Sequence, residues 1–301
     1  MNLQTNLLFV LLLLFSVVVQ CALGNFPFAF FAFPLDALLA LIWIVGMGYI
    51  YKEKRSSRFV RLWLSPQCTY WTLGWLLAGC LVIGLFPQLS AQEMAGKSGI
   101  FVRLGCYHFT SSWIFVVGLL GLLTHLGMIT LRRAFLPGRN RWRFVLNHAG
   151  LWLALFAGFI GSAEEQTLRI PVFRSSINNE AFTEQGTKVY LPEELQLTDF
   201  TIEHYPNGSP RHFSAEITID GKPAHLEVNH PYKANWTEDY YLTSYDVQSP
   251  QPQYCVVQIV REPLKFLMWL GIVMMLCGSS LLFLAGPDRQ KALSSEVDAS
   301  C

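Results

Sequence analysis

Charge is scarce in this chain. Of its 301 residues only 14% are charged while 52% are hydrophobic, against roughly a quarter charged in soluble domains. That balance excludes a soluble globular protein and places the chain among polytopic membrane proteins. The net charge of +1 leaves no broad field of one sign, so nucleic acid is not an expected partner. The seven cysteines (Cys21, Cys68, Cys80, Cys106, Cys255, Cys277 and Cys301) form no Cys-x-x-Cys. Thioredoxin-like redox work, a zinc ribbon and c-type haem attachment on this chain are thereby excluded. Cys106 and Cys255 are the one pair expected outside the membrane, and so the one pair considered for a disulfide. No Gly-rich phosphate loop, Gly-x-Ser-x-Gly elbow or His-Glu-x-x-His is present, which removes nucleotide-driven and common hydrolytic chemistries. Acids are almost missing from the apolar runs, where Asp36 stands alone. A proton-coupled carrier needs carboxylates along its path, so transport of that kind fits poorly.

What the chain does have is long apolar runs. Six reach or approach the ~20 residues that cross a bilayer: Leu7–Leu23, Leu35–Tyr51, Trp71–Phe86, Phe109–Leu131, Phe144–Ile160 and Leu264–Leu284. The first lacks a basic n-region and is followed closely by the second, which argues for a retained span rather than a cleaved signal. Basic residues concentrate after the second run (Lys52, Lys54, Arg55, Arg58, Arg61) and after the fourth (Arg132, Arg133, Arg139, Arg141, Arg143). The positive-inside rule then puts both termini in the cytoplasm and the long polar segment outside. The expected fold class is a polytopic α-helical membrane protein of about six spans with an inserted extracytoplasmic all-β domain. Its expected divisions are two spans in 1–62, three in 63–162, the β domain in 163–262, the last span in 263–287 and a cytoplasmic tail in 288–301.

The outer segment reads as strands. Phe213, Ala215, Ile217 and Ile219 alternate with Ser214, Glu216, Thr218 and Asp220, the period of a half-buried strand. Asn207-Gly208 and Asp220-Gly221 supply hairpin turn chemistry on either side. Leu195–Ile202, Leu226–Val228 and Tyr254–Ile259 add further strands, and a small antiparallel sandwich or barrel follows. Asn235-Trp-Thr237 has the composition of a glycosylation sequon.

Two histidines fall inside apolar runs. His125 lies seven residues before Arg132 and His148 five after Arg143, which at about 1.5 Å per residue sets both near 7–11 Å from the basic edge. The fourth and fifth runs share a short loop, so their imidazoles can occupy one layer of the bilayer. A neutral imidazole ligates haem iron, zinc or copper. The plainer alternative is that each hydrogen-bonds a neighbouring helix or reaches for the interface. His204, His212, His225 and His230 of the strand segment lack metal-ligand spacing, and His108 suits interface anchoring.

Several stretches resemble the ResB (CcsB) family, membrane subunits of system II cytochrome c biogenesis. Phe109-Thr-Ser-Ser112-Trp113-Ile-Phe115 and Asn147-His148-Ala-Gly150-Leu151 are similar to the openings of two of its core helices. Leu197–Pro210, Phe213-Ser-Ala-Glu-Ile217, Glu227-Val-Asn-His-Pro231 and Tyr240–Asp246 are similar to its outer domain, so the resemblance spans Leu104 to Pro287. It implies a bacterial inner-membrane protein, with a periplasmic β domain, that carries haem b outward. A CcsA/ResC-type membrane subunit then joins the haem to apocytochrome c. It implies that His148 is an axial haem ligand; His125, by its position in the same layer, is a second candidate, and Arg139, Arg141 and Arg143 are placed to receive propionates, although the positive-inside rule alone also accounts for them. Mapping the third to sixth spans onto the family's four leaves two extra N-terminal spans. The partner's tryptophan-rich haem motif is absent, so the chain is expected to be an accessory subunit rather than a complete synthase. The alternative is a scaffold subunit whose outer domain binds a partner while its histidines only pack.

Overall fold

The computed structural model describes residues 3–89, 93–94, 96–136, 141–249 and 251–285. Its helices are α1 (Leu3–Leu23), α2 (Leu35–Glu53), α3 (Arg58–Trp63), α4 (Pro66–Leu85), α5 (Ile100–Arg103), α6 (Trp113–Phe135), α7 (Arg141–Glu164) and α8 (Lys265–Ala285). Six of them, α1, α2, α4, α6, α7 and α8, are long and apolar enough to cross a membrane. The chain divides into a helical unit and a sheet unit, the latter taking in residues 160–266.

The helices are arranged for lipid rather than water. In α1 the buried positions are Thr5, Phe9, Ser16 and Gln20, while Leu3, Leu7, Leu11, Leu14 and Val18 face outward. Three polar groups and one phenylalanine therefore line the contacts of α1 and leucines its periphery, as expected where lipid tails are as apolar as leucine. Gln20 shows how firmly α1 is built in. Its Oε1 accepts from the Trp113 N–H that opens α6, at 2.9 Å. Its Nε2 donates to Asn25 Oδ1 and to the Arg103 carbonyl. Near the other end, Asn6 Oδ1 accepts from the Trp71 indole, and Phe9 stacks on that same ring at 5.7 Å.

Helix ends follow local chemistry. Ser57, Ser65 and Ser112 each accept a backbone N–H three residues on, and Pro66 occupies the first turn of α4; both are N-terminal signals. Helices α7 and α8 come into backbone contact. A Cβ on Gly150 would lie 2.6 Å from the Gly271 carbonyl, and one on Gly278 would lie 2.7 Å from Asn147 Nδ2. Glycine at these positions lets two backbones meet, and Ser279 Oγ donates to Asn147 Oδ1 at 3.0 Å across the crossing.

The sheet unit holds β1 (Gln166–Phe173), β2 (Asn178–Thr183), β3 (Lys188–His204), β4 (Pro210–Ile219), β5 (Lys222–Glu227), β6 (Tyr232–Lys233), β7 (Glu238–Tyr245) and β8 (Tyr254–Arg261). They make one eight-stranded sheet in the order β5-β4-β3-β2-β1-β8-β7-β6, antiparallel at every pairing. Inward residues at period 2, including Ile170, Leu195, Ile217, Leu226, Tyr240 and Ile259, form a single core. One sheet encloses that core by curling. Register shifts in β3, against both β2 and β4, let its long run bend, and a bridge from Glu227 to His230 ties the β5 end toward β6. Asp220 and Gly221 both have positive φ (49° and 73°), which gives the tight turn expected of Asp-Gly.

Candidate functional site

His125 and His148 are placed by different parts of the helical unit, and their ring nitrogens are used differently. His125 is 3% exposed. Its Nδ1 lies 2.7 Å from the Trp63 carbonyl, which only accepts, so the proton sits on Nδ1. Its Nε2 is then the acceptor for Thr69 Oγ1 at 2.9 Å. Both nitrogens are engaged, and the ring staples α6 to the end of α3 and the start of α4. No lone pair is left for iron unless the Thr69 bond opens.

His148 has one nitrogen engaged. Nδ1 donates to the Phe144 carbonyl one turn back, at 2.9 Å, and the imidazole stacks on the Phe144 ring with centroids 3.7 Å apart and planes 13° apart. Those two contacts fix tautomer and ring plane. The lone pair then falls on Nε2, which has no hydrogen-bond partner among the described residues. A histidine whose Nδ1–H is held by a carbonyl and whose Nε2 is free is in the form that binds a metal. The sequence contains the signal in Phe144-x-x-x-His148, the i,i+4 spacing that brings the two rings together on a helix.

Of the arginines, Arg139 lies outside the described residues. Arg141 is seven residues before His148, and two turns of helix put both on one face; its guanidinium lies 5.0 Å from the Trp142 ring centroid. Arg143 precedes Asn147 by one turn, and Asn147 Nδ2 donates to its carbonyl. It therefore belongs to the stripe that Asn147 turns toward α8. Of the described arginines of α7, only Arg141 shares the face of His148.

That face continues into aromatic packing. Trp152, one turn on, donates from Nε1 to the Leu123 carbonyl at 2.9 Å and stacks with Trp43 and Phe156. Trp152 packs against a cluster that includes Met47, Tyr51, Trp63 and Met128. In it Tyr51 Oη and Trp63 Nε1 are buried without a hydrogen-bond partner among the described residues. Asp36 lies in the first turn of α2, 7% exposed, with Oδ1 buried and without a hydrogen-bond partner among the described residues.

Elsewhere the sequence expectations resolve simply. His212 and His225 pair with Glu227 and Glu216 at 3.2 and 2.6 Å. Among the described residues no group of three or more His, Cys, Asp or Glu is placed to hold a metal ion. Cys106 and Cys255 are both buried free thiols; burial in the sheet core pushes the Cys255 thiol up to about 12, so it behaves as a small hydrophobe.

The model of the ResB-like family matches residues 138–251. This bears out the resemblance seen in the stretches around His148 and through the strands, and it supports a role in cytochrome c biogenesis. Comparison with curated proteins gives no match. Among solved structures, cytochrome c heme lyase CcmF is similar with a TM-score of 0.34 and 13% identity, over 67% of this chain and 33% of that one. The chain thus spans about a third of that protein's length, and a likeness this slight carries no argument.

Proposed function

We propose that the protein is a haem-handling subunit of cytochrome c biogenesis, in which His148 Nε2 ligates haem iron within the membrane. The observation that supports this best is the uncommitted Nε2 on a ring already fixed by Phe144, inside the segment that the family model matches. Haem is cargo here. Iron takes the lone pair, the Phe144 stack holds the imidazole upright, and Arg141 on the same face receives a propionate through charge-assisted hydrogen bonds. His125 serves as a staple rather than a ligand, so a CcsA/ResC-type partner completes the coordination and carries the covalent step onto apocytochrome c. In this reading the basic ends of α2, α6 and α7 face the cytoplasm of a bacterial inner membrane. Haem b is received there, and the sheet unit works in the periplasm.

The test is made in cells that depend on this chain for c-type cytochromes. His148→Ala at normal protein level is expected to abolish covalent haem attachment, and exogenous imidazole to restore part of it. Full maturation in that variant would leave the scaffold reading, in which the helices only hold the outer domain and its partner.

A further inference from the structure

The Asn235-Trp-Thr237 stretch folds into a hydrogen-bonded loop. Asn235 Oδ1 accepts from the Thr237 backbone N–H at 2.8 Å and from Thr237 Oγ1 at 2.9 Å, and its Nδ2 donates to Glu238 Oε2 at 3.2 Å. Three hydrogen bonds of this amide hold the turn. Between these residues Trp236 stands 82% exposed, the most exposed tryptophan among the described residues. A loop this well tied does not leave its largest side chain in water for want of order.

Its place in the sheet unit says what covers it. The Thr237 carbonyl accepts from the Glu262 N–H at 2.7 Å, and α8 begins three residues later at Lys265. Gln166, two residues past the end of α7, pairs with Arg261, and Arg261 pairs with Glu238 on the other side. Both connections to the spanning helices therefore leave from the same edge of the sheet as this loop. The edge is clamped: Lys265 Nζ donates to Asp239 and, at 2.9 Å, to Glu262, while Arg261 bonds both Glu238 and Glu193. Lys233, exposed, precedes the loop, while Tyr232 turns its ring against Tyr240 and the sheet core. Tryptophan and lysine are side chains that settle at a membrane–water boundary, ring among the glycerol groups and ammonium toward phosphate.

We propose that Trp236 inserts into the headgroup region of the leaflet from which α7 and α8 emerge, and so anchors this rim of the sheet to the phospholipid surface. The indole N–H meets ester or phosphate oxygens and the ring covers the upper acyl carbons. The inference stands apart from the haem reading, since it uses only the spans and the sheet.

The test uses the full chain reconstituted in phosphatidylcholine–phosphatidylglycerol vesicles. Subtracting the emission of Trp236→Phe from that of the unaltered protein isolates Trp236 among the nine tryptophans. Trp236→Tyr replaces the phenylalanine variant if the latter fails to fold by circular dichroism. The difference emission is expected to be blue-shifted, strongly reduced when the lipids are brominated on upper acyl carbons, and shielded from acrylamide. Red-shifted emission quenched by acrylamide and indifferent to brominated lipid would overturn the proposal. So would blue-shifted emission that brominated lipid leaves unchanged, which would mean cover by protein.

Discussion

Replacing Gly150 by alanine tests the packing that holds α7 in place. The new Cβ would lie 2.6 Å from the Gly271 carbonyl oxygen, 2.8 Å from Met275 N and 2.9 Å from Met274 Cβ. Two of these atoms are helix backbone and cannot turn aside. Ordinary contact needs about 3.5 Å, so α8 must retreat by about 1 Å. Overpacking of this kind costs about 1–3 kcal/mol. The Ser279–Asn147 bond depends on the same approach and contributes about 0.6 kcal/mol more where membrane helices bond through side chains. Alanine's helix propensity returns at most about 1 kcal/mol, which leaves a net loss of about 1–3 kcal/mol. Gly158 of the same helix is the control, because nothing lies within 4 Å of its Cβ position. Gly158→Ala therefore keeps the propensity gain and is neutral or stabilising. Gly271→Ala meets Ala154 N and the Gly150 carbonyl, both at 2.6 Å, so it opens the same crossing and the double variant falls short of the sum. Thermal unfolding of the purified protein in detergent measures the set. Equal stability of the Gly150 and Gly158 variants would refute this account of the crossing.

Two further predictions concern ionisable side chains. His125→Leu and Thr69→Val each break the staple. The histidine variant also orphans the Trp63 carbonyl, at about 1–3 kcal/mol for a buried group left unpaired. Both are expected to unfold earlier while keeping full haem absorbance per folded molecule; haem loss without loss of stability would make His125 a ligand instead. Glu165, just beyond α7 and exposed at its edge, has its carboxyl raised above the ordinary range by partial desolvation and by the Glu262 and Glu184 carboxylates. A raised folded-state value gives stability that is present below the ordinary carboxylate range and is lost as pH rises through the folded value. Glu165→Gln should therefore melt higher than the unaltered protein at neutral pH, with the gap closing as pH falls toward the ordinary carboxylate range. A pH-independent gap would contradict it.

The spans were legible because lipid demands long apolar runs whatever the packing. Their ends were less so. The α4 start reads as Trp71 by hydropathy, yet Ser65 and Pro66 begin the helix there. The α6 start reads as Phe109, yet Cys106–Ser111 is a separate 3-10 turn and Ser112 is the cap. Within the basic loop, Arg58–Trp63 forms a six-residue helix, too short for periodicity to reveal, although Ser57 marks its start. Strands with clean alternation, such as β4, were plain. The polar β2 has no such pattern and the long β3 bends through register shifts, so neighbours in the sheet rather than local sequence define them. At the site, spacing put both histidines inside apolar runs. It did not separate them, because the partners that occupy His125, Trp63 and Thr69, lie 62 and 56 residues away. The Phe144 contact of His148 is local and was there to be read.

The measurement closest to the central claim is the absorbance spectrum of the protein purified with its partner subunit, with and without the His148 imidazole. A low-spin haem spectrum with two axial nitrogen ligands is expected, lost in folded His148→Ala and regained when free imidazole is added. Folded His148→Ala that retains the same haem content and the same spectrum would contradict it.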